Sequence, residues 1–537
     1  MKRLLSRTPA VLAVATVPAL LLSAVPFSSA VAAGSPASAG KHPSPGAAGL
    51  GDRLYPTLGN GGYDAQHYAL DLRYATSAPT QGIDGTVTMT ALATQSLSRF
   101  DLDFAGSGVG SVSVDGAPAS FTRSGEELVI TPARPVYKGS RFTVVVRHFT
   151  AEPTAPDPSQ LLSTAFFITP DGSETSGQPN AMHYVYPSND HPRDKASFSF
   201  RIDVPVGETA VANGVPTGKR TSGGRTVWTY EQRQPMATEL TQLVAGDFQV
   251  IQRGSVDGVA VRDVVPTRLV PQYNAILPVE KSQLSWMRDK VGAYPFDLYG
   301  SLIGDASLGF ALETQTLSLY DTAWFTRYPR DLWDPVMLHE LAHQWFGDSV
   351  APAEWSDVWQ NEGHATWYEY TYAAEKGFLA TDGGVADFTE LMQALYAVGD
   401  QWRHDYGPVG LPLSGDVYDV FSNQAYGGGA LVLYALRQKI GTPAFERLER
   451  AWVKKYQGRS ASTADFIALA SQVSGSNLTG FLTGWLYGTT TPPMPGHPDW
   501  TVDPVSAAAT SADLKAAKVP ATASSAAKQA LAAFRRR

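Results

Sequence analysis

Two histidines stand four residues apart in the segment VMLHELAHQWFGDSV, residues 336–350, and a glutamate directly follows the first of them. On an α-helix, positions i and i+4 lie on one face, so His339 and His343 can offer two imidazoles to a single metal ion. Glu340 is rotated by about 100° around the helix from His339, which suits a base acting on metal-bound water better than a ligand. The simpler alternative is a solvated helix that carries two histidines by chance.

A third ligand is required, because catalytic zinc takes three protein ligands and keeps one position open. Glu362, in WQNEGHATW, lies 19 residues after His343, and the segment between them contains a glycine and a proline that can turn the chain back toward the same ion. The neighbouring Trp359 and Trp367 argue against a solvated surface carboxylate. His364 stands two residues further on, about 200° around the helix from Glu362, so the pattern does not predict it as a ligand.

The composition is that of an ordinary globular protein: 537 residues, 43% of them hydrophobic and 17% charged, with a net charge of −8. At roughly 100–200 residues per domain, this length predicts two to four domains. The acidic residues are spread out and no basic stripe is present, so nucleic acid is not an expected partner. The chain has no cysteine, which excludes disulfides and leaves His, Asp and Glu as the available metal ligands.

The amino terminus is predicted to be a signal peptide, residues 1–32. Basic residues at positions 2, 3 and 7 precede an apolar run over 9–27, and Ala30-Val31-Ala32 forms a small-residue cleavage pattern. A membrane anchor is the alternative, but the two prolines in the apolar run and the small residues that follow it argue against an anchor. No other run reaches the roughly 18 apolar residues that span a bilayer. We therefore expect a secreted, extracellular protein with a bacterial export signal and no stable membrane anchor after cleavage.

The residue pattern divides the rest of the chain into segments. Small residues, proline and glycine predict a flexible linker after the signal peptide. Period-two alternation and hairpin signals such as Asp115-Gly116 then predict an antiparallel β domain, and helical spacing follows, including helices at 332–348 and 358–376. The predicted segments are a linker at 33–54, the β domain at 55–255, a catalytic α/β domain at 256–395, a C-terminal helical segment at 396–495 and an Ala-rich flexible tail at 496–537.

The motif pair HELAHQWFGD and WQNEGHATW resembles the gluzincin aminopeptidases, the aminopeptidase N family of zinc metallopeptidases, which carry HExxH, 18 intervening residues and a glutamate. Three further segments resemble parts of that family in the family's order: YVYPSNDHPRDKASFSF (184–200), FALETQT (310–316) and AYGGGALVLYAL (425–436). The resemblance covers residues 55–490. It implies a multidomain α+β fold with an N-terminal antiparallel β domain, a thermolysin-like zinc catalytic domain and a short C-terminal helical domain.

The resemblance also implies roles for residues outside the zinc motif. Glu313 matches the glutamate of the family's exopeptidase motif, which binds the free α-amino group of the substrate; a carboxylate at a fixed distance from zinc admits only chain ends. Gln178 matches a Glu or Gln position that also contacts the amino terminus, although a polar loop residue is the alternative. Three neighbours of Glu313 differ from the motif and put the shape of the first side-chain pocket in question: Phe310, Leu312 and Thr314.

Tyr426 is the candidate for the family's catalytic tyrosine, which shares with zinc the charge of the oxyanion formed on the peptide carbonyl. The family usually has lysine two residues later, where this sequence has Gly428. A core tyrosine that begins a helix is the alternative, and Tyr418 is the nearest competitor. Asp348 and Asp357 are candidates to orient a ligand histidine, but such residues more often cap helices.

The expected function is therefore that of a secreted zinc aminopeptidase with one Zn²⁺ per chain, held by His339, His343 and Glu362. Glu340 is its general base for zinc-activated water, and its substrates are peptides with a free N-terminus. Two alternatives stay open. One is an endopeptidase or an epoxide hydrolase on the same zinc core. A buried Glu313 at the end of the cleft disfavours a pure endopeptidase, and no residue pattern in the sequence indicates epoxide hydrolysis. The other is a catalytically inactive scaffold, which would typically have lost a ligand or the base.

Overall fold

The structure, a computed structural model, describes residues 42–74, 82–155, 165–306, 310–379 and 385–505. The predicted signal peptide, residues 33–41 of the predicted linker and the Ala-rich tail from residue 506 lie outside the described residues. Within the described part of the chain, no helix is long and apolar enough to cross a membrane.

Residues 44–246 form strands in two sheets. The described strands pair in the order β1-β4-β7-β6-β5-β8-β3-β2-β11-β14-β13 in the larger sheet and β12-β15-β10-β9 in the smaller. Apart from the parallel pairs β1–β4 and β2–β11, the neighbours are antiparallel, so the predicted antiparallel β domain is confirmed. The strands are β1 (Ser44–Pro45), β2 (Tyr63–Tyr74), β3 (Ile83–Ala93), β4 (Leu97–Asp103), β5 (Ser111–Val114), β6 (Ala117–Ser124), β7 (Glu127–Thr131), β8 (Arg141–Ala151), β9 (Phe166–Thr169), β10 (Gly172–Thr175), β11 (Ala196–Pro205), β12 (Thr209–Ala212), β13 (Val215–Ser222), β14 (Arg225–Met236) and β15 (Leu243–Gly246).

Alternating side chains explain why these segments form a sheet with one buried face. In β2, Tyr68, Leu70 and Leu72 are buried, whereas Asp71 between the last two is exposed. The predicted turn Asp115-Gly116 connects β5 to β6 with φ values of 49° and 78°. Hairpin turns of this kind need positive φ at both central residues, which the Asp-Gly pair tolerates. Both sequence signals are therefore confirmed.

The next sheet combines strands that follow the β domain. It has the order β16-β17-β19-β21-β20, with β18 beside β17, and β17, β19 and β21 run parallel. The predicted domain boundary at residue 255 falls inside the hairpin of β16 and β17. The chain passes from one sheet to the next earlier than predicted, between Gly246 and Phe248. The strands of this part are β16 (Phe248–Val256), β17 (Val259–Pro266), β18 (Leu298–Tyr299), β19 (Ser301–Gly304), β20 (Ala311–Leu312), β21 (Ser318–Asp321), β22 (Val350–Pro352) and β23 (Arg459–Ala461).

Helices accompany this sheet and fill the C-terminal part of the chain. The helix predicted at 358–376 is confirmed as α5, which ends at Gly377 in a left-handed cap with φ of 74°. The helix predicted at 332–348 is shorter, because the chain turns after His343 and Gly347 adopts φ of 133°. The helices are α1 (Val270–Tyr273), α2 (Glu280–Val291), α3 (Thr322–Arg327), α4 (Arg330–Ala342), α5 (Trp359–Lys376), α6 (Phe388–Ala397), α7 (Gly399–Tyr406), α8 (Val417–Val420), α9 (Gly429–Ile440), α10 (Thr442–Tyr456), α11 (Thr463–Ser474) and α12 (Thr479–Tyr487).

The expectation of a flexible linker is wrong from His42 onward. β1 pairs with β4, and the carboxylate of Asp52 is buried and fully bonded. Its Oδ1 accepts from Leu54 N at 2.7 Å, its Oδ2 accepts from Trp355 N at 2.7 Å, and Oδ2 also lies 3.1 Å from His191 Nε2. One carboxylate thereby ties the N-terminal segment to the β domain and to the connection between α4 and α5.

Replacing Asp52 by alanine is expected to destabilise the protein by about 3 kcal/mol, because the buried donors of Trp355 and His191 lose their acceptor. Urea unfolding measures the loss. Although burial raises the pKa of Asp52, its hydrogen bonds lower that pKa to about 2. The stabilisation is therefore present above about pH 4 and is lost as the pH falls toward 2.

The matched control is Asp71→Ala, which removes an exposed ion pair with Arg201. This change is expected to cost less than about 1 kcal/mol. Equal losses for the two variants would mean that Asp52 does not anchor the N-terminal segment.

Candidate active site

Helices α4 and α5 bring the three predicted metal ligands together. Glu362 Oε2 lies 3.3 Å from His339 Nε2 and 3.4 Å from His343 Nε2, and all three side chains are buried. Zinc bonds of about 2.0–2.1 Å at tetrahedral angles place ligand atoms about 3.3–3.4 Å apart. Both distances therefore match the edges of a tetrahedral zinc site, and the three ligand atoms lie within 4.8 Å of one another.

Both imidazoles are oriented through their other ring nitrogen. His339 Nδ1 lies 2.9 Å from Glu369 Oε2, and His343 Nδ1 lies 3.1 Å from the backbone carbonyl of Phe346. A proton on each Nδ1 donates to these oxygens and leaves the Nε2 lone pair available to a metal ion. Sequence reasoning missed Glu369. Its signal was its position seven residues after Glu362, two turns along the same face of α5.

Glu340 lies beside the metal ligands and not among them. Carboxylate oxygens of Glu340 and Glu313 and a ring nitrogen of His343 lie within 4.8 Å of one another. Burial raises the pKa of Glu340 to about 7, against the opposing effect of the two histidines. A carboxyl group that titrates near neutral pH takes up and releases protons readily, which is what a general base does.

The two predicted amine-binding residues meet at one end of this cluster. Gln178, in the loop after β10, donates from Nε2 to Glu313 Oε1 at 2.7 Å, and both side chains are buried. The backbone carbonyl of Glu313 accepts from Gln344 Nε2 at 3.1 Å, and Gln344 Oε1 accepts from Thr316 N at 2.9 Å. These bonds hold Glu313 in place, with its Oε1 4.0 Å from His343 Nδ1.

Tyr426 lies on a π-helical turn, Gln424–Gly428, directly before α9. Its ring is 5.8 Å from the ring of His339 and nearly parallel to it, whereas Tyr418 is 57% exposed on α8. A side chain at Gly428 would place its Cβ 2.5 Å from Gln424 Oε1, so a lysine there would have to displace Gln424. The geometry favours Tyr426 over Tyr418 as the tyrosine of the site.

Two glycines let helix α9 approach α5 next to the third ligand. A Cβ on Gly363 would lie 2.8 Å from Gly429 Cα, and a Cβ on Gly429 would lie 2.7 Å from Gly363 Cα. Nonbonded carbon atoms prefer about 3.5–4.0 Å, so the helices can stay this close only with glycine at both positions. The contact sets the distance between Glu362, which precedes Gly363, and Tyr426, which precedes α9.

Of three further candidates from the sequence, His364 and Asp357 have other partners. His364 stacks on Phe346 with ring centres 4.4 Å apart. Asp357 Oδ1 accepts from Thr463 N, at the first residue of α11, at 2.9 Å. Both carboxylate oxygens of Asp348 are buried without a hydrogen-bond partner. Among the described residues, none of these three side chains is hydrogen-bonded to a ligand histidine.

Comparison with known families agrees with this geometry. Residues 64–240 match the peptidase M1 N-terminal domain, and residues 305–485 match the peptidase family M1 domain. The chain belongs to the peptidase M1 family. The predicted relationship to aminopeptidase N and the predicted multidomain α+β fold are both confirmed.

Relatives in the M1 family are similar to this chain in sequence and structure. The crystal structure of an M1 zinc metallopeptidase from Deinococcus radiodurans gives a TM-score of 0.71 at 29% identity, covering 83% of this chain and 99% of that chain. Aminopeptidase N from Streptomyces lividans is 27% identical over 321 residues, 56% of this chain and 36% of that protein. Aminopeptidase M1 from Arabidopsis thaliana is 26% identical over 325 residues, 58% of this chain and 36% of that protein. The match thus spans little more than a third of either sequence relative.

Two observations indicate that the metal of this site is zinc: the description of the structural relative and the ligand group of this chain. The Deinococcus radiodurans relative is a zinc metallopeptidase, and this chain offers a buried His-His-Glu group whose ligand atoms lie within 4.8 Å of one another. Two imidazole nitrogens and one carboxylate oxygen are also a ligand set that catalytic zinc takes. These residues fit one zinc ion per chain.

Glu369→Gln is expected to weaken zinc binding by about 10- to 100-fold, because a neutral amide is a poorer acceptor for the proton on His339 Nδ1. Competition with a chromogenic chelator measures the affinity. Glu375→Gln is the matched control, since Glu375 lies on the same helix but pairs with Lys290 near the surface. An unchanged zinc affinity in Glu369→Gln would contradict the orienting role of this carboxylate.

Proposed function

We propose that this protein is a zinc-dependent aminopeptidase that removes the N-terminal residue from peptides. The observation that carries the proposal is the bond between Gln178 and Glu313, which fixes an anionic group a short distance from the metal ligands. A carboxylate there pairs with the α-ammonium of a peptide and brings the first peptide bond to the metal. The Deinococcus radiodurans relative, as an E323A mutant, has been crystallised with a Tyr-Ser-Ala substrate, which supports a peptide as the ligand class.

The residues of the site divide the chemistry among them. His339, His343 and Glu362 would hold a zinc ion, which would supply the Lewis acidity that makes water a nucleophile near neutral pH. Glu340 accepts the proton of the attacking water and passes it to the leaving amine. Tyr426 donates a hydrogen bond from its phenol hydroxyl to the carbonyl oxygen of the scissile bond as negative charge develops on that oxygen.

The two alternative functions are less well supported. An endopeptidase has to admit internal chain past Glu313, but an uncharged peptide segment would leave that buried carboxylate without a counter-ion. An inactive scaffold is disfavoured because the three ligands, the base and both orienting acceptors are all in place. An aminopeptidase uses every one of these groups.

Hydrolysis of leucine 4-nitroanilide beside its N-acetylated counterpart, each with and without a zinc chelator, tests the proposal. We expect that only the free amine is cleaved and that the chelator stops the reaction, because the acetyl group removes the ammonium that pairs with Glu313. The control variant Glu340→Gln should bind zinc and yet be inactive, which excludes a contaminating peptidase. Equal cleavage of both substrates would favour the endopeptidase, and no cleavage by zinc-loaded protein would favour the scaffold.

Tyr426→Phe removes only the phenol hydroxyl. We expect kcat to fall by about 10²- to 10³-fold, the usual loss for one oxyanion donor, with little change in KM. Tyr418→Phe is the matched control and should leave both constants unchanged. A wild-type kcat in Tyr426→Phe would exclude the hydroxyl from the reaction.

We further propose that the protein is secreted and that peptides outside the cell are its substrates. The proposal is supported by the basic start, the apolar run and the small-residue cleavage pattern of residues 1–32. Sequencing the amino terminus of protein recovered from the culture medium checks it. A mature chain that begins after Ala32 is expected, whereas full-length protein retained in the cell would contradict export.

A further inference from the structure

His364 is a buried residue of helix α5, two positions after the ligand Glu362. Its imidazole lies between two aromatic rings. The ring centre of Phe346 is 4.4 Å away at an interplanar angle of 6°, and that of Trp359 is 6.2 Å away at 26°. Aromatic rings stacked in a close-packed core hold one another in place. A histidine that stands near the zinc motif in the sequence is therefore part of an aromatic stack in the structure.

Phe346 joins this stack to the metal site. Its ring packs on α5, and its backbone carbonyl oxygen lies 3.1 Å from His343 Nδ1, where it accepts the hydrogen bond that orients this ligand. The next residue is Gly347, whose positive φ of 133° lets the chain turn directly after the carbonyl. Packing of the Phe346 ring therefore sets where the acceptor of His343 lies relative to the helix that supplies Glu362.

Polar contacts hold the His364 ring at both nitrogens. Nδ1 donates to the backbone carbonyl of Gln360 at 2.6 Å, since a carbonyl can only accept, and Nε2 lies 3.5 Å from Glu449 Oε1 in α10. The other carboxylate oxygen of Glu449 accepts from the Tyr368 hydroxyl at 3.0 Å, and the Tyr368 ring lies 5.5 Å from that of Phe346. One carboxylate thus contacts two rings of α5 that both pack against Phe346.

The position of this stack matters for the metal ligand. An imidazole binds zinc well when the acceptor at its other nitrogen fixes the ring orientation and raises its basicity. For His343 that acceptor is a backbone carbonyl in a turn, so its position depends on what packs against the turn. The contact between His364 and Phe346 anchors the turn to α5.

We propose that His364 is a positioning residue of the zinc site. Through its stack on Phe346 it holds the carbonyl that orients His343, and it does so without contacting the metal itself. This role concerns the metal site alone and is independent of the bond that the protein cleaves.

The zinc affinities of His364→Leu and His364→Phe, measured on metal-free protein by competition with a chromogenic chelator, test the proposal. Both substitutions fill the space and remove the polar contacts with Gln360 and Glu449, but only phenylalanine can lie flat on Phe346. We expect His364→Leu to bind zinc about tenfold more weakly, the lower end of the effect of groups that orient ligands. His364→Phe should restore the wild-type affinity.

Phe346→Leu removes the same stack from its other side and keeps the contacts of His364 with Gln360 and Glu449. It gives a second test that does not depend on how His364→Leu folds, and it should also weaken zinc binding about tenfold. In the double variant the loss should stay near tenfold and not reach about a hundredfold, because both changes remove one contact.

Phe445→Leu is the matched control. It also replaces a buried ring by leucine, but this ring packs from α10 on Trp367 of α5, 5.2 Å away, and not on Phe346. Urea unfolding of the metal-free variants should show a loss of stability in Phe445→Leu as in His364→Leu, whereas the zinc affinity of Phe445→Leu should equal that of the wild-type protein.

Four results would overturn the proposal: wild-type zinc affinity in His364→Leu, no recovery in His364→Phe, multiplied losses in the double variant, or equal weakening in Phe445→Leu. The last result would mean that zinc affinity only follows general stability. The proposed function is judged separately, by whether the wild-type protein cleaves the free-amine substrate and spares its acetylated counterpart.

Discussion

The site depends on one geometric constraint: three ligand atoms from two helices have to be held a tetrahedral edge apart in a buried place. The spacing of His339 and His343 fixes two of them on consecutive turns, whereas Glu362 reaches them only through the crossing of α4 and α5. That crossing is supported by α9, which approaches α5 through paired glycines, and by Asp52, which bonds the connection between the two helices. A displacement of about 1 Å in either support would loosen the metal site.

Burial also gives the site an excess of negative charge. Carboxylates of Glu313 and Glu340 lie close to the metal ligands, and burial raises the pKa of Glu340. Unpaired buried charges cost several kcal/mol each, so this arrangement destabilises the protein on its own. This cost is expected at a binding site, because a metal ion and the ammonium group of the proposed peptide substrate would supply the missing positive charge.

The β domain is part of the site and not merely its support. It contributes Gln178 to the proposed amine site and Lys195 to the turn after the second histidine, where the lysine bonds two backbone carbonyls. The proposed amine site therefore requires that the sheet domain and the helical core are packed together. In that proposal, the metal ligands come from one domain and part of the specificity comes from the other.

The sequence by itself predicted the metal ligands and the base from spacing along one helix and one short connection. Resemblance to a family added the predictions of Glu313, Gln178 and Tyr426. The sequence did not predict Glu369 or the anchoring of Asp52. Their partners His339 and Trp355 lie 30 and 303 residues away, and the spacing of Glu369 from Glu362 along one helix face does not by itself identify a partner. Composition predicted a flexible linker because proline and glycine report backbone preference and carry no information on distant hydrogen-bond partners. Tertiary structure alone decided those contacts, since burial and charge balance depend on which segments the fold brings together.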